Sequence, residues 1–166
     1  MAAREGYPVR MESTSDDDAP RPVAYPASPA WRLLALAYDV LPLIPLVLGV
    51  SALFFWINGS RTIEHRPLLQ WMATLSIWLV VGTYFVVSWK RGGQTMGMRP
   101  WRLRVVCADG RPPGLRSLWL RYAAATITPV FGLLWAFFDP DRRALYDVAA
   151  GTAFVRLRPR TGAASR

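Results

Sequence analysis

Histidine, cysteine and acidic side chains are scarce in this 166-residue sequence, which limits the chemistry that it can perform. Cys107 is the single cysteine and His65 the single histidine, so the chain can form neither an intramolecular disulfide nor a cysteine-based metal cluster. We expect His65, in a short polar connection, to be a solvated loop residue. There is no serine–histidine–aspartate set and there are no paired glutamates. The sequence therefore predicts a protein that is not an enzyme and that uses no metal and no cofactor.

The shortage of acids leaves a strongly basic chain. Lys and Arg number 20 against 11 Asp and Glu, the net charge is +9, and 52% of the residues are hydrophobic. Such a composition suits either a nucleic-acid binder or a membrane protein with basic cytoplasmic segments. The basic residues avoid two long apolar runs and cluster between and after them. Because a nucleic-acid binder has no need of such runs, we expect a membrane protein that binds no nucleic acid.

The two apolar runs, residues 33–57 and 68–89, are long enough to cross a membrane. About 20 apolar residues in a helix span a hydrocarbon core of about 30 Å. Tryptophans stand near the ends of the runs, as in the aromatic belts of membrane proteins: Trp31, Trp56, Trp71 and Trp89. Because the connection between the runs is short, they should form a helical hairpin.

The basic residues also predict the orientation of this hairpin. Segment 90–121 carries eight Lys and Arg, whereas the connection 58–67 carries two, Arg61 and Arg66. The eight are Lys90, Arg91, Arg99, Arg102, Arg104, Arg111, Arg116 and Arg121. Basic segments of membrane proteins tend to stay in the cytoplasm. We therefore expect a multi-pass membrane protein with its N-terminus in the cytoplasm.

A third apolar run, residues 117–138, is interrupted by Arg121 and broken at Thr128-Pro129 and Gly132. A crossing here would place the basic segment 142–160 outside the cytoplasm, so a broken hairpin that re-enters on the cytoplasmic side fits the charges better. Two short β-like segments, 102–110 and 151–159, agree, because they could pair only on one side of the membrane. A third crossing remains the alternative.

These patterns predict an all-α transmembrane fold. Its parts are a two-span helical hairpin, a broken re-entrant or third membrane helix, and a small cytoplasmic β-hairpin-like element. Residues 29–158 form the membrane domain, residues 1–28 a disordered cytoplasmic tail and residues 159–166 a flexible C-terminal tail.

Asp39 is an ionisable residue inside the first apolar run. Arg32 lies seven positions earlier, on the same helix face and about 10 Å away along the axis. An aspartate at the centre of a membrane helix costs about 2.5–3.5 kcal/mol, which favours an inward orientation toward a basic partner. The candidate partners are Arg32, Lys90, Arg91 and Arg143. Pro42 and Pro45 weaken the helix nearby, so freed carbonyls and the carboxylate could instead form a cation or proton site.

Asp147 lies in "RRALYDVAAGT" and has two interpretations. It could be a surface or capping carboxylate beside Arg142 and Arg143. Paired with Arg32 across the cytoplasmic face, it would instead tie the C-terminal part to the first span.

The densest polar stretch is "KRGGQTMGMRPWRLRVVCADGRPPG". It is not a phosphate-binding loop, because Lys90 precedes the glycines and no Lys-Ser/Thr pair follows them. Gly92, Gly93 and Gly97 are interpreted as turn residues that close the second span. Trp101 and Trp119 among arginines favour an interfacial layer attracted to anionic lipid headgroups.

The blocks "PAWRLLALAYDVL", "GGQTMGMRPWRLRVVCADGRPPG" and "LYDVAAGT", in this order, resemble the RDD family of bacterial membrane proteins over roughly residues 29–158. By position, the arginine and two aspartates for which that family is named match Arg32, Asp39 and Asp147. Its "GQT-x-G" block matches Gly93, Gln94, Thr95 and Gly97. One departure is Tyr146, where members often have a histidine before the last aspartate.

The resemblance implies a multi-pass protein of the bacterial cytoplasmic (inner) membrane. Transport of unknown ligands has been suggested for this family, and some members are similar to cation/proton antiporters. Two functions stay open. The first is a transporter or exchanger, in which Asp39 binds the cation or proton while Arg32 and Asp147 set its charge state. It would be a homo-oligomer or work with a membrane partner, because two spans enclose no pathway. The second is a non-catalytic scaffold or assembly factor, in which the same three residues form a structural Arg-Asp-Asp clasp.

Overall fold

The computed structural model describes residues 24–59, 66–107, 110–139 and 143–157. Within these ranges the elements are β1 (Ala24–Pro26), α1 (Pro29–Ile57), α2 (Pro67–Gly92), β2 (Leu103–Cys107), α3 (Leu115–Ile127), α4 (Pro129–Phe138), α5 (Leu145–Ala149) and β3 (Thr152–Leu157). His65, most of the predicted N-terminal tail and the tail 159–166 lie outside the described residues.

Helices α1 and α2 form the predicted hairpin, and each is long and apolar enough to cross a membrane. Each begins with a proline, Pro29 or Pro67, at a position where the missing N–H costs no helical hydrogen bond. α1 continues through Pro42 and Pro45 to Ile57. Large apolar side chains on the outer faces of the two helices are exposed, as expected for surfaces that meet lipid.

The third apolar run is broken, as the sequence predicts. α3 and α4 meet at Thr128 and are bent by 102° relative to each other. Thr128 leaves the helical conformation, with φ −121° and ψ 53°, and the residue before a proline is disfavoured in that conformation. Its backbone N–H still bonds to Ala124 O at 2.9 Å. Pro129 then begins α4 at a position where its missing N–H costs no helical hydrogen bond.

The short β-like segments pair as predicted, with β2 antiparallel to β3 and Val105 opposite Phe154. The sheet is larger than expected, because β1 adds on the other edge of β3 to give the order β1-β3-β2. The tail boundary predicted at residue 28 is therefore too late. Residues 24–26 form a strand, and Ala27 is buried and donates its N–H to Phe154 O.

The core lies where α1, α2 and α3 meet the sheet. All four of these parts contribute buried apolar residues to it, among them Ala35, Val86, Trp89, Leu103, Val105, Leu118, Tyr122 and Phe154. Gly82 lets α3 approach α2 closely, since a Cβ there would lie 2.6 Å from Tyr122 Cε1. The sheet therefore fixes the ends of the helices against one another, and this junction holds the polar residues described next.

Candidate functional site

Asp147 is the centre of a buried charge cluster. The side chain lies in α5 and has no exposed surface. Arg32 of α1 donates from Nη1 to Oδ2, and Arg121 of α3 donates from Nη1 to Oδ1. The Ala144 N–H also donates to Oδ2 at 3.1 Å, which caps the start of α5. The Asp147 cluster (Arg32, Arg121 and Asp147) thus joins three helices through one carboxylate.

Both interpretations of Asp147 are therefore partly right, because it caps its own helix and pairs with Arg32. Of the neighbouring arginines, Arg142 lies outside the described residues. Arg143 forms an ion pair with Asp139, with Nε 3.4 Å from Oδ2.

Arg121 is the functional candidate that sequence reasoning missed. It was interpreted as an interruption of the third apolar run and as one of eight basic residues that set the orientation, yet its side chain is 4% exposed and pairs with Asp147. Its Nη1 also donates to Thr152 Oγ1 at 2.8 Å, which connects α3 to β3. The available signal was a single arginine inside the apolar run 117–138, since a buried charge there needs a partner.

Aromatic rings surround the two guanidinium groups of the cluster. Arg121 Cζ lies 5.1 Å from the ring centroid of Trp89 and 5.2 Å from that of Tyr146. Arg32 Cζ lies 4.7 Å from the centroid of the Phe154 ring. Cations at these distances are attracted by the π face. Tyr146, which stands where a histidine is common in the resembled family, therefore contributes a ring face to Arg121.

Asp39 forms a second, separate site. Its side chain is buried, and its Oδ2 accepts a hydrogen bond from Thr95 Oγ1 at 2.5 Å. Its Oδ1 accepts from Tyr84 Oη at 3.0 Å and from the Gly97 N–H at 2.9 Å. The sequence left open a basic partner or a cation site for Asp39, and the three hydrogen bonds that the structure gives this carboxylate all come from neutral groups. Neutral donors from α2 and the following loop satisfy this carboxylate instead.

The "GQT-x-G" block shapes the loop that reaches Asp39. Gly93 ends α2 in the left-handed region with φ 68°, where glycine is favoured. Gln94 Nε2 donates to Leu103 O at 2.7 Å and holds the loop against β2. Gly97 packs directly on α1, because a Cβ there would lie 2.1 Å from Ala35 O. The glycines are thus more than turn residues, since Gly97 allows Thr95 and its own N–H to meet the carboxylate.

A cavity of about 360 Å³ lies between α1, α2, α3, α4 and α5 and reaches β3. Most of its lining is apolar, and its ionisable members are Arg32, Asp39, Arg121, Tyr122 and Tyr146. Asp147 does not line the cavity, so the two arginines stand between it and this space. The cavity therefore borders on both the Asp147 cluster and Asp39.

Two long apolar helices, a broken apolar helix pair and buried charges at their junction define a small helical membrane protein. The chain belongs to the RDD family, whose family model matches residues 26–151. No curated protein and no solved structure matches the chain. The arginine and the second aspartate assigned from the three blocks are in contact, whereas the first aspartate, Asp39, accepts hydrogen bonds from the "GQT-x-G" block.

Proposed function

We propose that this protein is a membrane carrier for a small anionic ligand, which binds in the cavity beside the Asp147 cluster. The observation that carries the proposal is the presence of two buried arginines in the wall of one cavity between membrane helices. Its volume of about 360 Å³ falls within the range of small-molecule sites, about 300–1,000 Å³. Ionisable residues buried among membrane helices are expensive, and they commonly mark ligand or ion pathways.

The charge balance favours an anion over a cation or proton. Arg32 and Arg121 carry two positive charges, and Asp147 behind them neutralises one. The remaining acid on the cavity wall, Asp39, already accepts three hydrogen bonds from neutral donors. A cation at Asp39 would have to compete with these donors, whereas an anion meets the excess positive charge of the cluster.

We also propose that the α3–α4 pair is a re-entrant hairpin on the cytoplasmic side. β2 precedes this pair and β3 follows it, and the two strands are hydrogen-bonded to each other. β1, before α1, belongs to the same sheet. Because one sheet lies on one side of a membrane, this arrangement supports two crossings by α1 and α2. A reporter fused after Arg166 should read cytoplasmic in bacterial cells, and a periplasmic signal would contradict this topology.

Uptake into proteoliposomes tests the carrier. We expect the reconstituted protein to give saturable uptake of radiolabelled phenyl phosphate, a membrane-impermeant anion. Ala125→Phe, which fills the cavity wall, should reduce uptake to the level of empty liposomes. Ala52→Phe, on an exposed face of α1, is the matched control and should leave uptake unchanged. Equal uptake by both variants, or background uptake by the folded wild-type protein, would overturn the carrier proposal.

The alternative is a non-catalytic scaffold or assembly factor. It is favoured by the three hydrogen bonds that Asp39 accepts from neutral donors, because these bonds join α1 to α2 and the following loop. If the protein is a scaffold, Ala125→Phe would leave cell growth and the assembly of its partner proteins intact. Either function is compatible with a homo-oligomer, which we propose for the carrier because two spans alone enclose no continuous pathway.

A further inference from the structure

Arg121 and Trp89, which both line the cavity, each carry a buried donor that lacks an acceptor within the described part of the chain. One is Arg121 Nε, and the other is Trp89 Nε1. Arg121 is 3% exposed and Trp89 7% exposed, and both residues line the cavity. The guanidinium Cζ lies 5.1 Å from the centroid of the Trp89 ring, so the two donors belong to one small region. A buried donor without an acceptor costs about 1–3 kcal/mol, which a suitable ligand would recover.

The remainder of the cavity wall has a different chemistry. Most of it is formed by apolar side chains from four helices, α1 to α4: Leu36, Val81, Phe85, Ala125, Pro129 and Leu133. On α2, Val81, Phe85 and Trp89 follow one another at intervals of four, so they form one continuous face. Trp89 places a donor at one end of this face, and the other two members offer only hydrocarbon. Apolar walls disfavour water and favour a hydrocarbon chain.

We infer that the cavity binds an amphiphile with an anionic phosphate or carboxylate head and a hydrocarbon chain. The head accepts hydrogen bonds from Arg121 and Trp89 beside the Asp147 cluster, and the chain lies against the apolar wall. This inference rests on the proposed ligand site and gives its occupant a chemical class. Binding by itself does not require transport, so the two proposals can fail separately.

The inference is tested with the full chain in nanodiscs of zwitterionic lipid. The probes are dodecyl phosphate, inorganic phosphate, which has only the head, and dodecanol, which has only the chain. We expect dodecyl phosphate to bind saturably, measured by calorimetry, and each of the other two to bind at least about tenfold more weakly, because each loses one half of the contacts. Dodecyl phosphate should also raise the melting temperature of the protein by mass action.

Two tryptophan variants give a matched comparison. Trp89→Phe keeps a ring beside Arg121 but removes the Nε1 donor, so dodecyl phosphate should bind about tenfold more weakly. Trp101 also has a buried Nε1 without an acceptor among the described residues, but it does not line the cavity. Trp101→Phe should therefore leave the affinity unchanged. Because both substitutions are tryptophan to phenylalanine, a difference between them reports the position of the donor.

The inference is overturned if dodecyl phosphate binds no more tightly than dodecanol, or if Trp89→Phe and Trp101→Phe behave alike.

If dodecyl phosphate binds as expected, a competition experiment distinguishes two sources of the natural ligand. If phosphatidylglycerol in the nanodisc displaces dodecyl phosphate, the natural occupant is a membrane lipid. If it does not, the occupant is a single-chain amphiphile from solution. Binding without uptake into proteoliposomes would overturn the carrier proposal and leave the binding site in place.

Discussion

The two buried aspartates of this protein are stabilised in opposite ways. Asp147 pairs with two arginines, so its surroundings carry an excess of positive charge. Asp39 meets two hydroxyl groups and one backbone N–H, so its surroundings are neutral. Both carboxylates are almost inaccessible, with exposures of 0% for Asp147 and 2% for Asp39. Burial alone therefore does not tell which aspartate depends on charge.

This difference suggests different roles for the two carboxylates. Removing the charge of Asp147 would leave two guanidinium groups buried without a counterion, which is costly in any low-dielectric environment. Removing the charge of Asp39 would leave only neutral groups, some of which can reverse their hydrogen bonds. Asp147 is therefore an electrostatic connection between helices, and Asp39 is a hydrogen-bonding one.

The largest expected effect comes from Asp147→Asn. Because it leaves Arg32 and Arg121 without a carboxylate, it should lower the free energy of unfolding by about 3–5 kcal/mol. Chemical denaturation in detergent micelles measures this change.

The matched control for that prediction is Asp139→Asn. Asp139 pairs with Arg143, whose side chain is 35% exposed, so the loss should be at most about 1 kcal/mol. Equal losses for the two variants would show that the Asp147 cluster contributes no more than an exposed pair.

The second prediction tests the Asp39 site by a steric change. Gly97→Ala would place a Cβ 2.1 Å from Ala35 O, and neither backbone can move without losing the Asp39 contacts. We expect a loss of about 2–3 kcal/mol in the free energy of unfolding. Gly92→Ala is the control, because a Cβ there meets nothing within 4 Å. If Gly97→Ala is as stable as Gly92→Ala, the close approach of the loop to α1 is not required.

Among the three site variants, Asp147→Asn, Gly97→Ala and Asp39→Asn, the smallest effect is expected for Asp39→Asn. The amide oxygen can still accept from Tyr84 and the Gly97 N–H, and the amide NH₂ can donate to the Thr95 hydroxyl, which can also act as an acceptor. The free energy of unfolding should fall by about 1 kcal/mol, and phenyl phosphate uptake should persist. A loss as large as that of Asp147→Asn would contradict the neutral description of the Asp39 site. If the Asp39→Asn protein is stable but no longer takes up phenyl phosphate, Asp39 belongs to the ligand pathway.

Much of the fold follows from local features of the sequence. The two apolar runs predict α1 and α2, and Thr128-Pro129 predicts the break before α4, because length, hydropathy and the geometry before proline act within a few residues. The β-like segments around Val105 and Phe154 were also predicted to pair. β1 was missed, since three residues carry too little periodicity to signal a strand.

The site was only partly predictable. Charge and position in the sequence singled out Arg32, Asp39 and Asp147, the family resemblance matched the same three residues, and the contact between Arg32 and Asp147 was one of two open alternatives. For Asp39 the sequence favoured a basic partner over a cation site, because a charge argument favours an arginine whenever a carboxylate is buried. Here Thr95 and the Gly97 N–H supply enough hydrogen bonds to replace it. Arg121 was missed because its carboxylate partner, Asp147, is 26 residues away in the sequence and is brought close only by the fold.

The sequence by itself thus determined where the chain is apolar, where its helices break and which residues carry charge, because these properties are local. Only the tertiary structure decided how the buried charges are shared. Arg32 and Asp147 are separated by 115 residues, and Asp39 and Thr95 by 56. Hydrogen bonding acts over about 3 Å and depends on which groups packing brings together. The close approach of Gly97 to α1 and the order of the three strands fix those distances in this protein.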